Sequence, residues 1–139
     1  MELELAGHLG VDFSISTLRV KSRDRLLKVE VTGQYESKTG PFLTMIVAAA
    51  LANPFGSGIG LIFDASGLQY TGGDELLDWV YLVRKELTEQ YLVSIVTSAQ
   101  NHQSVLSLIA DLELDILDGF VHQSVSAARA AIENHHLET

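Results

Sequence analysis

One short run, Leu61-Ile62-Phe63 before Asp64, constrains this chain more than any other feature. Three consecutive apolar residues leave no polar face, so the segment reads as a central strand covered on both sides. Helical spacing flanks it. Phe42, Leu43, Met45, Ile46, Val47, Ala50 and Leu51 give a broad apolar face that starts near Pro41 and ends before Asn53-Pro54. Proline is tolerated in a first helical turn, and a proline disfavours helical geometry in the residue before it. Downstream, Leu76, Val80, Val83 and Leu87 recur at helical spacing. Asp74 and Glu75 are expected in the first turn of that helix, where the dipole favours acids.

The remaining segments extend this alternation. Residues 15–21 and 26–32 alternate apolar and polar positions around the polar turn Ser22-Arg23-Asp24-Arg25, which predicts an antiparallel hairpin. Leu27, Val29 and Val31 share one face of it. Residues 92–97 form another apolar strand, and Val105, Leu108, Ile109 and Leu112 mark a third helix. Gly119-Phe120-Val121 is a short last strand, and residues 124–134 an alanine-rich final helix. Strands alternating with helices predict an α/β fold. The expectation is a mostly parallel sheet of four to five strands with an N-terminal antiparallel hairpin and about four helices. Residues 1–13 are a flexible arm or a short first strand, 14–134 the domain and 135–139 a C-terminal tail. A chain of 139 residues fits one such domain.

Composition removes several function classes. The absence of cysteine excludes disulfides, thiolate metal sites and a cysteine nucleophile. The net charge of −9 opposes binding to nucleic acid and anionic membranes. Arg19, Lys21, Arg23, Arg25 and Lys28 run against that trend, as a solvated hairpin face or a docking patch. No basic stretch follows Met1, and the apolar stretch 42–52 is short of the ~20 residues a membrane span needs. A cytoplasmic protein without membrane insertion is expected.

Chemistry-bearing patterns are sparse. The run Gly56-Ser57-Gly58-Ile59-Gly60 precedes a strand instead of opening a helix, so it is read as a flexible connection and not a phosphate loop. His8, His102, His122, His135 and His136 show no zinc-ligand spacing. His102 reads as part of a capped helix start or as an acid–base group. Asp64 reads as a turn-bonding acid at a strand end, or as half of a carboxylate pair with Asp74. Asp111, Glu113, Asp115 and Asp118 miss the calcium-loop pattern and read as a solvated turn. Neither a cofactor nor a metal is expected, and catalysis is not.

The order of elements, together with particular residues, resembles the STAS domains and the wider SpoIIAA-like (anti-sigma-factor antagonist-like) group. The stretch Leu61-Ile62-Phe63-Asp64-Ala65-Ser66-Gly67-Leu68-Gln69-Tyr70 is similar to the family's strand and Asp-Leu-Ser-Gly-Val segment. Residues 92–97 resemble its next strand, and residues 105–131 its ending. The resemblance covers about residues 14–133. It implies regulation through contact with a regulatory protein, an anti-sigma factor or kinase-like partner, and leaves open a homodimer. In the antagonist members an Asp-Ser-Ser-Gly motif opens the helix after the central strand, and a partner kinase phosphorylates its second serine. Aligned without a gap, that motif falls on Gly72-Gly73-Asp74-Glu75, so both serines are missing and Asp74 stands at the phosphorylated position. Asp74 either stabilises a helix start or imitates a phosphoserine with about one charge against about −1.5 to −2. Thr71 is the nearest hydroxyl. The implied contact surface is Tyr70, Thr71, Gly72, Gly73, Asp74, Glu75 and Asp78. Trp79 belongs to it if exposed, and to the core if not. The group also suggests a second reading, a carrier of a small apolar ligand or lipid, whose cavity Phe42, Met45 and Ile46 would line.

Overall fold

A computed structural model describes residues 2–8, 11–19, 25–36, 38–52, 58–86, 91–114 and 121–138. The strands are β1 (Glu2–His8), β2 (Val11–Arg19), β3 (Arg25–Gln34), β4 (Gly60–Gln69), β5 (Leu92–Val96) and β6 (Val121–His122). The helices are α1 (Thr39–Ala52), α2 (Trp79–Glu86), α3 (His102–Asp111) and α4 (Val125–Glu138). All strands join one six-stranded sheet in chain order. The pairs β1–β2 and β2–β3 are antiparallel, and every later pair is parallel. The expected mixed sheet with its N-terminal hairpin and four helices is therefore present. Its extra strand is β1, whose residue Leu3 pairs with Ile15 and Leu5 with Phe13. The final helix continues past Asn134 to Glu138.

Strand order explains where the helices lie. Strands β3 to β6 advance in one direction across the sheet, and crossovers of one hand then place successive helices on the same face. Residues of α1, α2 and α3, among them Leu43, Val80 and Val105, share one core with Phe13, Val29, Val31, Phe63 and Ile95. The opposite face is covered by α4, whose Ala128 and Ile132 meet Leu26, Ile62, Leu92 and Val96. Every residue of β5 is accordingly buried. Strand β2, half covered, alternates: Val11, Phe13 and Ile15 are buried, while Asp12 is exposed.

The strand at the centre is longer than the apolar run that announced it. Its pairing with β3 holds from Leu26↔Gly60 to Glu30↔Asp64, then resumes at Thr32↔Gly67. Ala65 and Ser66 thus oppose Val31 alone, a β-bulge that bends the strand and re-aims its side chains. Pairing with β5 ends at Asp64↔Val96. Beyond that point β4 keeps its pairing with β3 but has no β5 partner. The side chain of Asn101, buried just before α3, takes that place by donating from Nδ2 to the Ala65 and Leu68 carbonyls, each at 2.9 Å. Asn101 Oδ1 accepts from the Ser98 N–H at 2.8 Å, and Ser98 Oγ accepts from the Asn101 N–H at 3.2 Å.

The helix expected at Asp74 begins at Trp79. Residues 74–78 form tight turns, with Asp78 N–H donating to the Glu75 carbonyl and Val80 N–H to that of Leu77. Leu76 and Leu77 are both fully buried. Bonds that span three residues close turns and not α-helical rings, so the chain enters the core as turns before the helix forms. Asp74 and Glu75 therefore precede the helix instead of occupying its first turn. Several expectations lie outside the described residues: the turn at 22–24, Asn53-Pro54, Gly56, Leu87, Asp115, Asp118, Gly119 and Phe120.

Candidate functional site

The segment of interest leaves the carboxyl end of β4, where open α/β sheets place their sites. Its entry is fixed by two tyrosines. Tyr35 follows β3 and extends the pairing, its N–H donating to the Gln69 carbonyl at 3.0 Å. Its ring meets that of Tyr70 edge-on, centroids 5.1 Å apart at 86°, a favoured aromatic geometry. Tyr70, only 4% exposed, donates its hydroxyl to the Gly73 carbonyl at 2.6 Å. That bond closes a short loop over residues 70–73. Thr71, Gly72, Gly73, Asp74 and Glu75 are exposed, and Asp78 is half-buried. Residues 71–75 of the sequence-predicted set are thus contiguous on one exposed loop with Tyr70 as its internal tether, and Asp78 follows beyond the buried Leu76 and Leu77.

The two glycines have different jobs. Gly73 sits at φ +119°, and a Cβ there would approach Tyr35 Cε1 to 2.8 Å. A Cβ on Gly72 would meet nothing within 4 Å. Gly73→Ala is expected to cost about 1–3 kcal/mol through backbone strain. Gly72→Arg should change stability by no more than about 0.5 kcal/mol, as surface replacements do. Urea midpoints of the two variants check both values. Gly40, at the start of α1, completes the support, because a Cβ there would come within 2.5 Å of Glu75 Cβ.

Open clefts flank the loop on two sides. One, of about 360 Å³, is lined by Tyr35, Glu36, Gly72, Gly73, Asp74 and Glu75. The other, of about 340 Å³, separates the loop from α3 and includes Thr71, Asp74, Gln103, Ser104, Ser107 and Asp111. The charge beside the tyrosines is negative. Burial first, then the Tyr70 hydroxyl and the carboxylates of Glu75, Asp78 and Asp74, push the Tyr35 phenol up to about 12. Burial and Asp74 raise Tyr70 as well. Such phenols stay protonated in the folded chain at pH values where the unfolded chain has released its protons. Their stabilising contribution is therefore complete below the ordinary value near 10 and is lost as pH rises through about 12. Stability should fall across that window, and Tyr35→Phe should fall less steeply, as measured by urea unfolding at stepped pH.

Other candidates take structural places. The Asp64 carboxylate is buried and accepts from Ser66 N–H at 3.0 Å and Ser66 Oγ at 2.6 Å. It braces the bulge, while Asp74 belongs to the exposed loop. His102 Nδ1 lies 2.6 Å from Thr97 Oγ1. Thr97 has no exposed surface, so the Nδ1 edge of the half-buried imidazole is anchored inside the fold. Trp79 is fully buried, its ring 4.8 Å from that of Phe63, so it belongs to the core and not to the contact surface. The wall expected for an apolar cavity is not assembled: Met45 is 66% exposed, whereas Phe42 packs on Phe13 at 5.2 Å. No group of three or more potential metal ligands occurs among the described residues, and no described helix is long and apolar enough to cross a membrane. Tyr35 and Asn101 were not singled out from the sequence. Both act on partners distant in the chain, and neither lies in a local pattern.

No protein-family model matches the chain, and no curated protein matches its sequence. Solved structures do. An anti-sigma factor antagonist from Mycobacterium paratuberculosis superposes with a TM-score of 0.59 at 19% identity, covering 85% of this chain and 93% of its own. An uncharacterized protein with a SpoIIAA-like fold from Shewanella loihica superposes with a TM-score of 0.56 at 18% identity, covering 92% of this chain and 98% of its own. With strand order, helix placement and these superpositions in agreement, the chain has the STAS/SpoIIAA-like fold.

Proposed function

We propose that this chain is a non-catalytic, cytoplasmic regulatory module that binds a partner protein through residues 71–75 and Asp78. The carrying observation is the loop itself, exposed yet tethered by the Tyr70–Gly73 hydrogen bond and set between two clefts. A pre-formed loop loses little conformational freedom on binding, which favours affinity. The solved antagonist of the same fold makes an anti-sigma factor or kinase-like protein the partner class to test first. With Gly73 and Asp74 in place of the two serines, the loop carries a constant charge instead of one that a kinase turns on and off. Asp74 then acts as part of a fixed acidic face.

Affinity capture of the tagged chain from its native host, followed by mass spectrometry, tests this reading. Gly72→Arg adds bulk and charge on the surface without a steric clash inside the chain. It should abolish enrichment of a specific partner while the variant melts like the parent. An equally enriched partner with Gly72→Arg would refute docking through this loop.

A further inference from the structure

We propose that the cleft between Tyr35 and the loop receives a cationic side chain, a guanidinium or ammonium, from a basic segment of the docking partner. The inference rests on the docking reading and adds the chemistry of the contact. Tyr35 forms an aromatic wall, held in place by its backbone bond to Gln69 and its edge-on contact with Tyr70. Cations are attracted to such rings within about 6 Å of the centroid. Glu36, Asp74 and Glu75 line the same cleft and are exposed. The ion pairs Lys28–Glu30 and Arg129–Glu133 involve none of the three, and neighbouring Lys38 is paired with none of them among the described residues. The volume, about 360 Å³, lies at the small end of the range for ligand sites.

The basic residues at the β2–β3 hairpin are poorly placed to neutralise this end. Arg19 and Arg25 pair across the β2–β3 hairpin at the start of β3, whereas Tyr35 follows its last residue. Ten residues of strand separate the two ends, roughly 30 Å, against a screening length of about 8–10 Å. The hairpin cations therefore leave the charge of the cleft in place, and Lys38, the neighbouring exposed cation, forms no ion pair with Glu36, Asp74 or Glu75 among the described residues. The Tyr35 ring adds a directional contact that an exposed group of carboxylates alone lacks, and it favours a planar guanidinium or a compact ammonium over a hydrated metal ion.

The test uses the whole chain and two synthetic peptides, Ac-Gly-Arg-Gly-Arg-Gly-NH2 and the same peptide with citrulline for arginine. Citrulline keeps the shape and removes the charge. Titration followed by backbone amide shifts should give saturable changes confined to residues 35–36 and 72–75 with the arginine peptide, weakening with salt. Asp74→Asn combined with Glu75→Gln should weaken binding about tenfold or more, and Tyr35→Leu should weaken it further. These carboxylates make no described hydrogen bond, so the double variant should keep the parent's melting temperature. Equal binding of citrulline, scattered shifts, or indifference to the double variant would overturn the cation site. If the arginine peptide fails while Gly72→Arg still abolishes partner capture, the cation site falls and the docking reading stands. If the peptide binds as described while capture survives Gly72→Arg, the cation site stands and the docking reading falls.

Discussion

Trp79→Ala is expected to destabilise the chain by about 3–5 kcal/mol, the range for deleting a large buried aromatic side chain. The indole has no exposed surface, stacks on Phe63 in the central strand, and begins α2 directly after the inward turn of Leu76 and Leu77. Removing it leaves a cavity where helix, turn and sheet meet, and rigid neighbours on β4 limit collapse. The urea midpoint should drop sharply with an unchanged slope, since a change in midpoint alone reports stability. Trp79→Phe is the informative companion. Trp79 Nε1 has no hydrogen-bond partner among the described residues, and a buried unpaired donor costs about 1–3 kcal/mol. Phenylalanine keeps most of the ring and removes that donor, so its loss should be far smaller. A Trp79→Ala loss below about 1 kcal/mol would place the indole outside the core.

Asn101→Ala should cost about 2–4 kcal/mol. One side chain satisfies two carbonyls of β4 beyond the last β5 pair and accepts the Ser98 N–H. Each buried group left unpaired costs about 1–3 kcal/mol. The damage should be local as well as global. Amide exchange should quicken at residues 66–70, because Asn101 fixes the strand end from which the loop departs. A uniform change across the chain, with no excess at the end of β4, would contradict that role. Asn101→Asp tests the donor alone: it keeps an acceptor for Ser98 but presents oxygen to both carbonyls, and should be at least as harmful as alanine.

Much of the architecture was legible because it is written in local periodicity. The all-apolar run at Leu61 announced a strand covered on both faces, and β4 is buried from Gly60 to Ala65. The alternation at Leu27, Val29 and Val31 placed all three in the main core. Strand β1 also carries a signal, Glu2-Leu3-Glu4-Leu5, but the pattern is too short to separate a strand from a loose arm. The start of α2 was misread because acids before an apolar repeat resemble a helix N-terminus, and only the bonds from Asp78 to Glu75 and from Val80 to Leu77 reveal turns there. Trp79 lay one position off the Leu76–Val80 stripe, but it opens α2 one turn before buried Val83 and so shares that residue's inward face. Asn101 and Tyr35 were invisible for a different reason. Their work is done across the fold, Asn101 on β4 and Tyr35 against Tyr70, Gly73 and Gly40. Such contacts exist only once β3, β4 and α3 have been assembled.

On the proposed docking role, the composition of the loop bears on how a partner would be regulated. A serine at the position of Asp74 would let a kinase toggle charge. A carboxylate in its place is not switched by a kinase and supplies less charge than a phosphate. Partner choice would then be governed by the abundance of the partner and the fit of its basic side chains.

Hydrogen exchange on the captured complex tests the central claim most directly. Docking through the loop predicts that amides of residues 71–75 and 78 gain protection on binding, with Gln103 and Ser104 across the second cleft following more weakly. Protection concentrated instead along α1, at Phe42, Met45 and Ala49, with the loop unchanged, would contradict the account.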